Sequence, residues 1–529
     1  MQNKVKQLIE DTLGTSIVLE KPKDRTLGHF ATPVAFSLAK EFRKSPMIIA
    51  DELAAKFENN DIFESVTPVK GFINFKLKLD FLEDQINQSL ENEDTFAKGE
   101  NKNEKILLEY VSANPTGPLH IGHARGAIFG NALYTIGNHL GYDVTSEYYV
   151  NDAGSQMDLL GLSLYLAGRE SILKVDVDYP EQYYRGEYLF DLAAQAAEKF
   201  GEDIFKEATQ FTELSLFAKD KVLKIITDDL KDLGVEFDNF VYEKPLYSKW
   251  DGLKEQLETN DCLYEKDSKV WLRSTDAGDE LDRVVIRENG IPTYLAGDII
   301  YHKDKYDRGY DKFINIWGAD HHGYIARVKA AIKFLDNDPQ KLEVLLSQMV
   351  SLLKGGQPYK MSKRAGNVIL MSDITKEIGA DALRFIFLTK KSDTHLEFDI
   401  DTLKNNDSSN PIFYINYAHA RINQIFKKAN VDISSVKDLK LKELDENATS
   451  LLFEALLLPK VLEEAFDKRE VQKVTEYLHS LSALLHKFYN ETKIVDSDNQ
   501  DSYLKILSMV ALSIRTGLKL LGINAKETM

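Results

Sequence analysis

One stretch restricts the fold of this chain more than any other: residues 106–123 place an apolar run, a Pro/Gly-rich loop and a helix start in direct succession. Ile106 to Val111 is apolar except for Glu109 and reads as a buried strand. The decapeptide Asn114-Pro115-Thr116-Gly117-Pro118-Leu119-His120-Ile121-Gly122-His123 follows, and a helical pattern runs from Ala127 to Leu140. Strand, tight loop and helix N-terminus, with a second strand pattern over Asp143 to Val150, predict a parallel sheet wrapped by helices. A helix N-terminus gathers unpaired N–H groups and the positive end of the helix dipole, so a phosphate binds there. His120 and His123, three residues apart, lie on one helical face and reach the same phosphate. The H-x-x-H spacing alone also fits half a metal site, or packing. Gly122 between them removes a side chain where a flat base could approach the backbone.

A second basic loop, Lys360-Met361-Ser362-Lys363-Arg364, lies well downstream, with Gly355-Gly356 before it and Gly366 after it. Those glycines predict a mobile loop, able to swing its lysines onto the outer phosphates of a nucleotide and stabilise departing pyrophosphate. A solvated basic turn is the plainer alternative.

At 529 residues the chain exceeds one ordinary core and predicts three or more domains. Residues 1–95 read as a small α+β unit: helices over Val5–Leu13, Pro33–Phe42, Ile48–Phe57 and Phe81–Asn92, and a strand over Phe72–Leu77. The polar stretch Glu91 to Glu104 reads as a linker. Residues 105–385 carry the strand–helix alternation, split by an insertion over about 160–285 that is helical first and strand-like later (Lys269–Leu272, Arg283–Ile286). The α/β pattern resumes at Thr293–Tyr301 and Lys312–Trp317. Residues 386–529 read as an all-α bundle, with long amphipathic stretches over Ile412–Lys428, Ser450–Phe466, Val471–Tyr489 and Ser502–Leu521. The fold class is therefore multidomain α/β: a split Rossmann-like parallel-sheet core with an inserted domain, a small α+β N-terminal domain and a C-terminal helical bundle.

No stretch approaches the roughly 20 apolar residues of a membrane span, and the N-terminus reads as an amphipathic helix rather than a signal peptide. The lone Cys262 forbids an internal disulfide and a multi-cysteine zinc site; a cytoplasmic protein is expected. The net charge of −18 argues against a purely electrostatic grip on nucleic acid. From Arg421 onward, however, sixteen basic residues balance sixteen acidic ones, so the acidity belongs to the upstream body.

The pair formed by Pro-x-Gly-x-x-His-x-Gly-His and Lys-Met-Ser-Lys resembles the two signatures of class I aminoacyl-tRNA synthetases. Tyr148-Tyr149-Val150-Asn151-Asp152-Ala153-Gly154-Ser155-Gln156 and Asp381-Ala382-Leu383-Arg384 narrow the resemblance to the arginyl-tRNA synthetases, over essentially the whole chain. Many members of that family have a degenerate second signature, which is intact here. The resemblance implies ATP-dependent formation of arginyl-adenylate, then transfer to the terminal ribose of tRNA(Arg), with activation awaiting bound tRNA. Partners would be L-arginine, ATP with Mg2+, and tRNA, without a permanent cofactor, a resident metal or a membrane, and the default state would be a monomer. A class I synthetase of another specificity and a non-catalytic tRNA-binding relative are the alternatives.

Carried over residue by residue, the catalytic set is His120, His123, Lys360 and Lys363. ATP contacts fall on Ala113, Pro115, Thr116, Gly117, Pro118, Leu119, Gly122, Met361 and Ser362. Gly318, Asp320 and His321 join them, with Asp320 or His321 matching a position where many members carry glutamine. Arginine would be held by Glu109 and Asn114, and its guanidinium by Tyr294 and Asp298, one helical turn apart. A guanidinium is a rigid fork of five donors that carboxylates satisfy in pairs. A buried carboxylate without a cation is costly, so a cationic substrate would account for Glu109 and Asp298; pairing with a protein lysine or arginine is the alternative. Arg125 and Asn131 fit either the substrate side or the helix surface. The bundle, a DALR-type domain, would bind the anticodon, with Tyr414, Tyr417, His419 and Arg421 available to unpaired bases, unless the tyrosines are packing. The N-terminal domain would touch the tRNA elbow, with Phe30, Phe36 and Phe75 either stacking on bases or forming core.

Overall fold

The computed structural model describes residues 1–58, 60–207, 211–360 and 368–529. They form two compact units: Gly99–Asn410 with Leu520–Ile523, and Met1–Lys98 with Pro411–Lys519 and Asn524–Met529. None of the described helices is long and apolar enough to cross a membrane.

The first unit is built, among the described residues, on a five-stranded sheet in the order Leu342–Ser347, Lys312–Gly318, Lys105–Glu109, Asp143–Val150, Asn239–Tyr242. Every neighbouring pair is parallel. Lys105–Glu109 lies in the middle, and Ile106, Leu107 and Leu108 are each 1% exposed, as a strand covered on both faces requires. The chain fills one flank of this strand first, then crosses to the other with Lys312–Gly318. That reversal opens a crevice outside the carboxyl ends of the two strands, where α/β sheets take ligands.

The helix after the central strand spans Ile121–His139, starting six residues earlier than the apolar pattern indicates, because His120 caps it. Its close seat on the sheet depends on Gly130, where a Cβ would come within 2.3 Å of the Tyr110 ring. The predicted insertion is not continuous. Helices Ser155–Ser171, Tyr188–Phe200 and Phe211–Asp232 are followed by Asn239–Tyr242, which belongs to the main sheet. Only then come helix Trp250–Thr259 and the antiparallel strands Leu263–Lys266, Lys269–Leu272 and Arg283–Ile286. Four residues of alternating burial carry too little periodicity to announce an edge strand.

In the second unit, strands Phe30–Thr32, Phe72–Leu77 and Phe63–Val69 form an antiparallel sheet with Phe72–Leu77 central. Phe30 and Phe75 are core, 1% and 0% exposed, whereas Phe36 is 47% exposed and packs edge-on against Phe72. The sequence reading had left all three open to bases. Helices Pro411–Ala429, Gln472–Glu491 and Gln500–Leu520 match the predicted stretches closely. The stretch Ser450–Phe466 is instead two helices, Glu446–Ala455 and Leu458–Asp467, because Pro459 sits in the first turn of the second and supplies no N–H. The N-terminal sheet and the bundle share one core: Phe30 meets Phe453 edge-on at 5.1 Å, and Lys21 pairs with Glu454 at 2.8 Å.

Candidate active site

The central strand ends in a strained turn. Val111 and Ser112 have φ of 70° and 41°, and the Ser112 N–H donates to the Tyr110 carbonyl at 3.0 Å. An i→i+2 bond across a positive-φ residue is the rarer γ-turn, and a β-branched residue there is costly. Neighbouring hydrogen bonds hold it. Ser112 Oγ donates to Glu109 Oε1 (2.9 Å) and accepts from the Tyr149 N–H (3.1 Å), while Tyr148 Oη donates to the Ala113 carbonyl (2.7 Å). The turn throws Asn114–Leu119 across the crevice; Asn114 is exposed and Ala113, Pro115 and Leu119 are buried.

His120 and His123 form a reciprocal cap. The Gly122 N–H donates to His120 Nδ1 (3.1 Å), the His120 N–H donates to His123 Nδ1 (3.3 Å), and the rings stack 3.7 Å apart. A Cβ at Gly122 would lie 3.0 Å from the His120 ring, so the glycine makes room for the imidazole rather than for a base. Burial lowers the pKa of both rings, that of His123 to about 3, with His120 adding to the effect on His123. At neutral pH both are uncharged. With each Nδ1 accepting from the backbone, the proton is assigned to Nε2, so the pair offers two neutral N–H donors.

The chain beyond the second signature lies against the first. The Ile121 N–H donates to the Ile369 carbonyl and the Met371 N–H to the Leu119 carbonyl, both at 2.9 Å, and His120 and Leu370 form an antiparallel bridge. Upstream, Gly355 and Gly356 (φ 59° and 73°) make the two-residue turn of a hairpin between Val350–Lys354 and Gln357–Pro358, and the Asp399 carboxylate accepts both amides. They serve a tight turn, not the loop mobility read from the sequence. Lys360 is exposed; Met361, Ser362 and Lys363 lie outside the described residues.

Under the loop, Glu109 is not an unpaired carboxylate. Its Oε2 accepts from fully buried Lys305 Nζ at 2.5 Å, and Lys305 also donates to Asn315 Oδ1 at 2.9 Å. Asn315 Nδ2 meets His302 Nε2 (3.1 Å), and His302 Nδ1 meets the Asp298 carbonyl (2.8 Å). The cation that the sequence reading sought in a substrate is, for Glu109, a protein lysine from helix Tyr294–Asp307.

Asp298 differs. Its carboxylate makes no hydrogen bond or ion pair among the described residues, and its pKa is pushed up to about 7 by desolvation first and then by Glu243 and Glu109. Glu243, 3% exposed, directly follows the edge strand Asn239–Tyr242. Its Oε1 accepts from Tyr247 Oη at 2.9 Å, its Oε2 is buried without a hydrogen-bond partner, and burial raises its pKa. Gly297 leaves room for it: a Cβ there would lie 2.6 Å from Glu243 Oε1. Tyr294, 49% exposed, stands one turn before Asp298 beside Gly154. Sequence reasoning missed Glu243, because the four-residue strand that positions it carries too little pattern to be read. Two carboxylates with no cation paired to them among the described residues, set among tyrosines, are suited to receive one.

Other expectations separate. Gly318 ends its strand, and a Cβ there would come 2.4 Å from Asp320 Oδ1; the Asp320 and His321 side chains are 82% and 54% exposed and 3.6 Å apart. Arg125 and Asn131 are neither helix surface nor substrate groups. Buried Arg125 donates to the Gln348 and Lys391 carbonyls, and Asn131 Oδ1 accepts from Arg384 Nη2 at 2.6 Å. Arg384 also donates to the carbonyls of Leu521 and Leu233. In the bundle, His419 is withdrawn from any base: it is 3% exposed and bonded to the Lys526 carbonyl. Arg421 lies over the Tyr417 and Tyr489 rings and bonds Tyr417 Oη, and Tyr414 stacks on His479.

Known proteins share this arrangement. Residues 85–427 match the class I tRNA synthetase (R) catalytic domain, residues 415–529 the DALR anticodon binding domain and residues 1–77 the arginyl tRNA synthetase N terminal domain. An Aliarcobacter butzleri protein named arginine–tRNA ligase is 66% identical over 529 residues, 100% of both chains. The crystal structure of a Campylobacter jejuni protein described as an arginyl-tRNA synthetase is 56% identical, covers 86% of this chain and 100% of its own, and superposes with a TM-score of 0.83. The Thermus thermophilus arginyl-tRNA synthetase, only 20% identical, has the same fold over 100% of both chains at a TM-score of 0.78. This chain belongs to the arginyl-tRNA synthetase family, in class I of the aminoacyl-tRNA synthetases.

Proposed function

We propose that this chain is an arginine–tRNA ligase. The arginine carboxylate attacks the α-phosphorus of ATP, pyrophosphate departs, and the terminal ribose of tRNA(Arg) then takes the arginyl group and releases AMP. The observation that carries the specificity is the pair of under-satisfied carboxylates, Asp298 and Glu243, in the crevice beside the signature loop. A guanidinium supplies the missing donors and stays charged at any working pH. Tyr294 closes the pocket over it, while Asn114 and the free lone pairs of Glu109 receive the arginine head group.

ATP lies along Ala113 and Pro115–Leu119, with Gly122, Gly318 and Asp320 or His321 on its nucleoside side. The Nε2–H groups of His120 and His123 donate to the phosphate as charge builds in the transition state, which a preorganised neutral donor does without reorganisation. Lys363 stands seven residues before Leu370, at most about 25 Å of extended chain, and the Leu370 main chain bridges His120. Lys360 and Lys363 are the groups we assign to the departing pyrophosphate, with Met361 and Ser362 of the same motif. Mg2+ arrives on the triphosphate rather than in an all-protein cage. No side chain needs to act as covalent nucleophile; positioning and charge stabilisation carry the rate.

The bundle, with Tyr414, Tyr417 and Arg421, reads the anticodon, residues 1–95 touch the tRNA elbow, and activation awaits bound tRNA. The enzyme works as a cytoplasmic monomer. The test is aminoacylation of a purified tRNA mixture with each of the twenty amino acids: arginine alone should be charged, and efficient charging of any other, or of none, would end the reading.

A further inference from the structure

The signature loop is held by two tyrosines from the inserted chain. Tyr184 lies between helices Ser155–Ser171 and Tyr188–Phe200, and Tyr188 opens the second. Tyr188 Oη donates to the Thr116 carbonyl at 2.7 Å, and its phenol ring rests on Gly117, where even a Cβ would touch Oη at 3.4 Å. The Tyr184 hydroxyl lies close to the Thr116 side chain. The Tyr184 backbone is fixed in turn: its N–H donates to Ser163 Oγ (2.8 Å), which donates to the Leu159 carbonyl (2.7 Å) inside helix Ser155–Ser171. Within the loop, the Thr116 N–H already donates to the Asn114 carbonyl at 2.8 Å. Thr116 is thus gripped at its amide and its carbonyl, with the Tyr184 hydroxyl beside its side chain.

A loop rich in proline and glycine has a rigid backbone at Pro115 and Pro118 and a free one at Gly117, between them. Left alone, Gly117 would let the carbonyls and amides facing a nucleotide adopt many orientations. From this geometry we propose that Tyr188, assisted by Tyr184, is a positioning residue that fixes the Thr116–Gly117 backbone for ATP and makes the inserted helices the support of the nucleotide loop. Neither tyrosine is a catalytic residue; both act through Thr116. Because the Tyr184 backbone is anchored on helix Ser155–Ser171, a displacement of that helix is transmitted to the ATP loop.

The inference rests on the reading of this loop as the ATP-binding element, and its test separates the two. Tyr188→Phe keeps the ring on Gly117 and removes one neutral hydrogen bond, worth roughly a fivefold effect. In pyrophosphate exchange with saturating tRNA, its KM for ATP should rise about fivefold, with the KM for arginine within 1.5-fold of wild type. Tyr188→Leu, which also removes the ring, should raise the ATP KM further, and Tyr184→Phe should act in the same direction but less. Thermal melting checks that each variant is folded, and Tyr184→Phe carries the same criterion if Tyr188 variants do not fold. An unchanged ATP KM, or equal rises for ATP and arginine, would overturn the proposal. If His123→Ala, assayed alongside, also leaves exchange untouched, it is the ATP-site reading itself that fails.

Discussion

Asp298 titrates in the range where the enzyme works, and this gives a signed prediction. Desolvation and the neighbouring Glu243 and Glu109 hold its pKa at about 7 in the free protein. A guanidinium binds the ionised form, so the arginine requirement should scale as one plus the ratio of protonated to ionised Asp298. At pH 6 this factor is about 11 and at pH 8 about 1.1, so the arginine KM should fall about tenfold between them, equivalent to about 1.4 kcal/mol of binding free energy. The ATP KM should stay level. The assay is pyrophosphate exchange at saturating ATP and tRNA, at pH 6, 7 and 8. Asp298→Asn should abolish the slope while raising the arginine KM throughout, and Glu243→Gln, by removing a like charge, should move the inflection to lower pH. The free protein carries the opposite trend. A carboxyl whose folded pKa lies above its ordinary 3.8 gives stability that is full below about pH 4 and lost as the pH rises through 7. Arginine should therefore raise the melting temperature more at pH 8 than at pH 6. An arginine KM flat within twofold in the wild type, or a slope surviving in Asp298→Asn, would refute the assignment.

Four further outcomes are expected. Lys305→Met strands Glu109 as a buried charge and should cost about 3–5 kcal/mol, read as a lowered denaturation midpoint in urea; adding Glu109→Leu should recover part of it. His123→Ala removes one preorganised donor and should slow adenylate formation by about 100-fold or more, while tRNA affinity, followed by filter binding, stays near normal. Because burial keeps the His123 imidazole neutral, wild-type kcat for exchange should show no inflection from it between pH 6 and 8. Gly130→Ala, with its Cβ driven to 2.3 Å from the Tyr110 ring, should overpack the helix seat and destabilise by about 1–3 kcal/mol, measured by thermal melting.

What the sequence discloses is local. Lys105–Glu109 was legible because a strand covered on both faces has to be a continuous apolar run, and the bundle helices because their burial repeats every turn. Asn239–Tyr242 was not, since an edge strand of four residues is specified by its neighbour rather than by its own pattern; Glu243 was lost with it. The signature motifs marked the loop proposed for ATP, yet their physical state came from the fold: His123 is neutral because it is buried, which no spacing reveals. Glu109 shows the limit most clearly. Its pairing with Lys305 joins residues 196 positions apart, so the choice between a substrate cation and a protein cation lay beyond any local pattern. The same holds for Arg125 and Asn131, whose partners lie 223 to 266 residues away.

The unit shared by the two ends of the chain also constrains how the protein is made. Phe30 finishes its packing only against Phe453, which the ribosome delivers 423 residues later. At synthesis rates of about 5–20 residues per second the interval is roughly 20–85 s. For that time the nascent N-terminal segment presents Phe30 and its neighbouring apolar side chains to the surroundings without their final cover. A trigger-factor type of holdase would find its client there, and slowing translation between Gly99 and Asn410 would lengthen the exposure and increase aggregation.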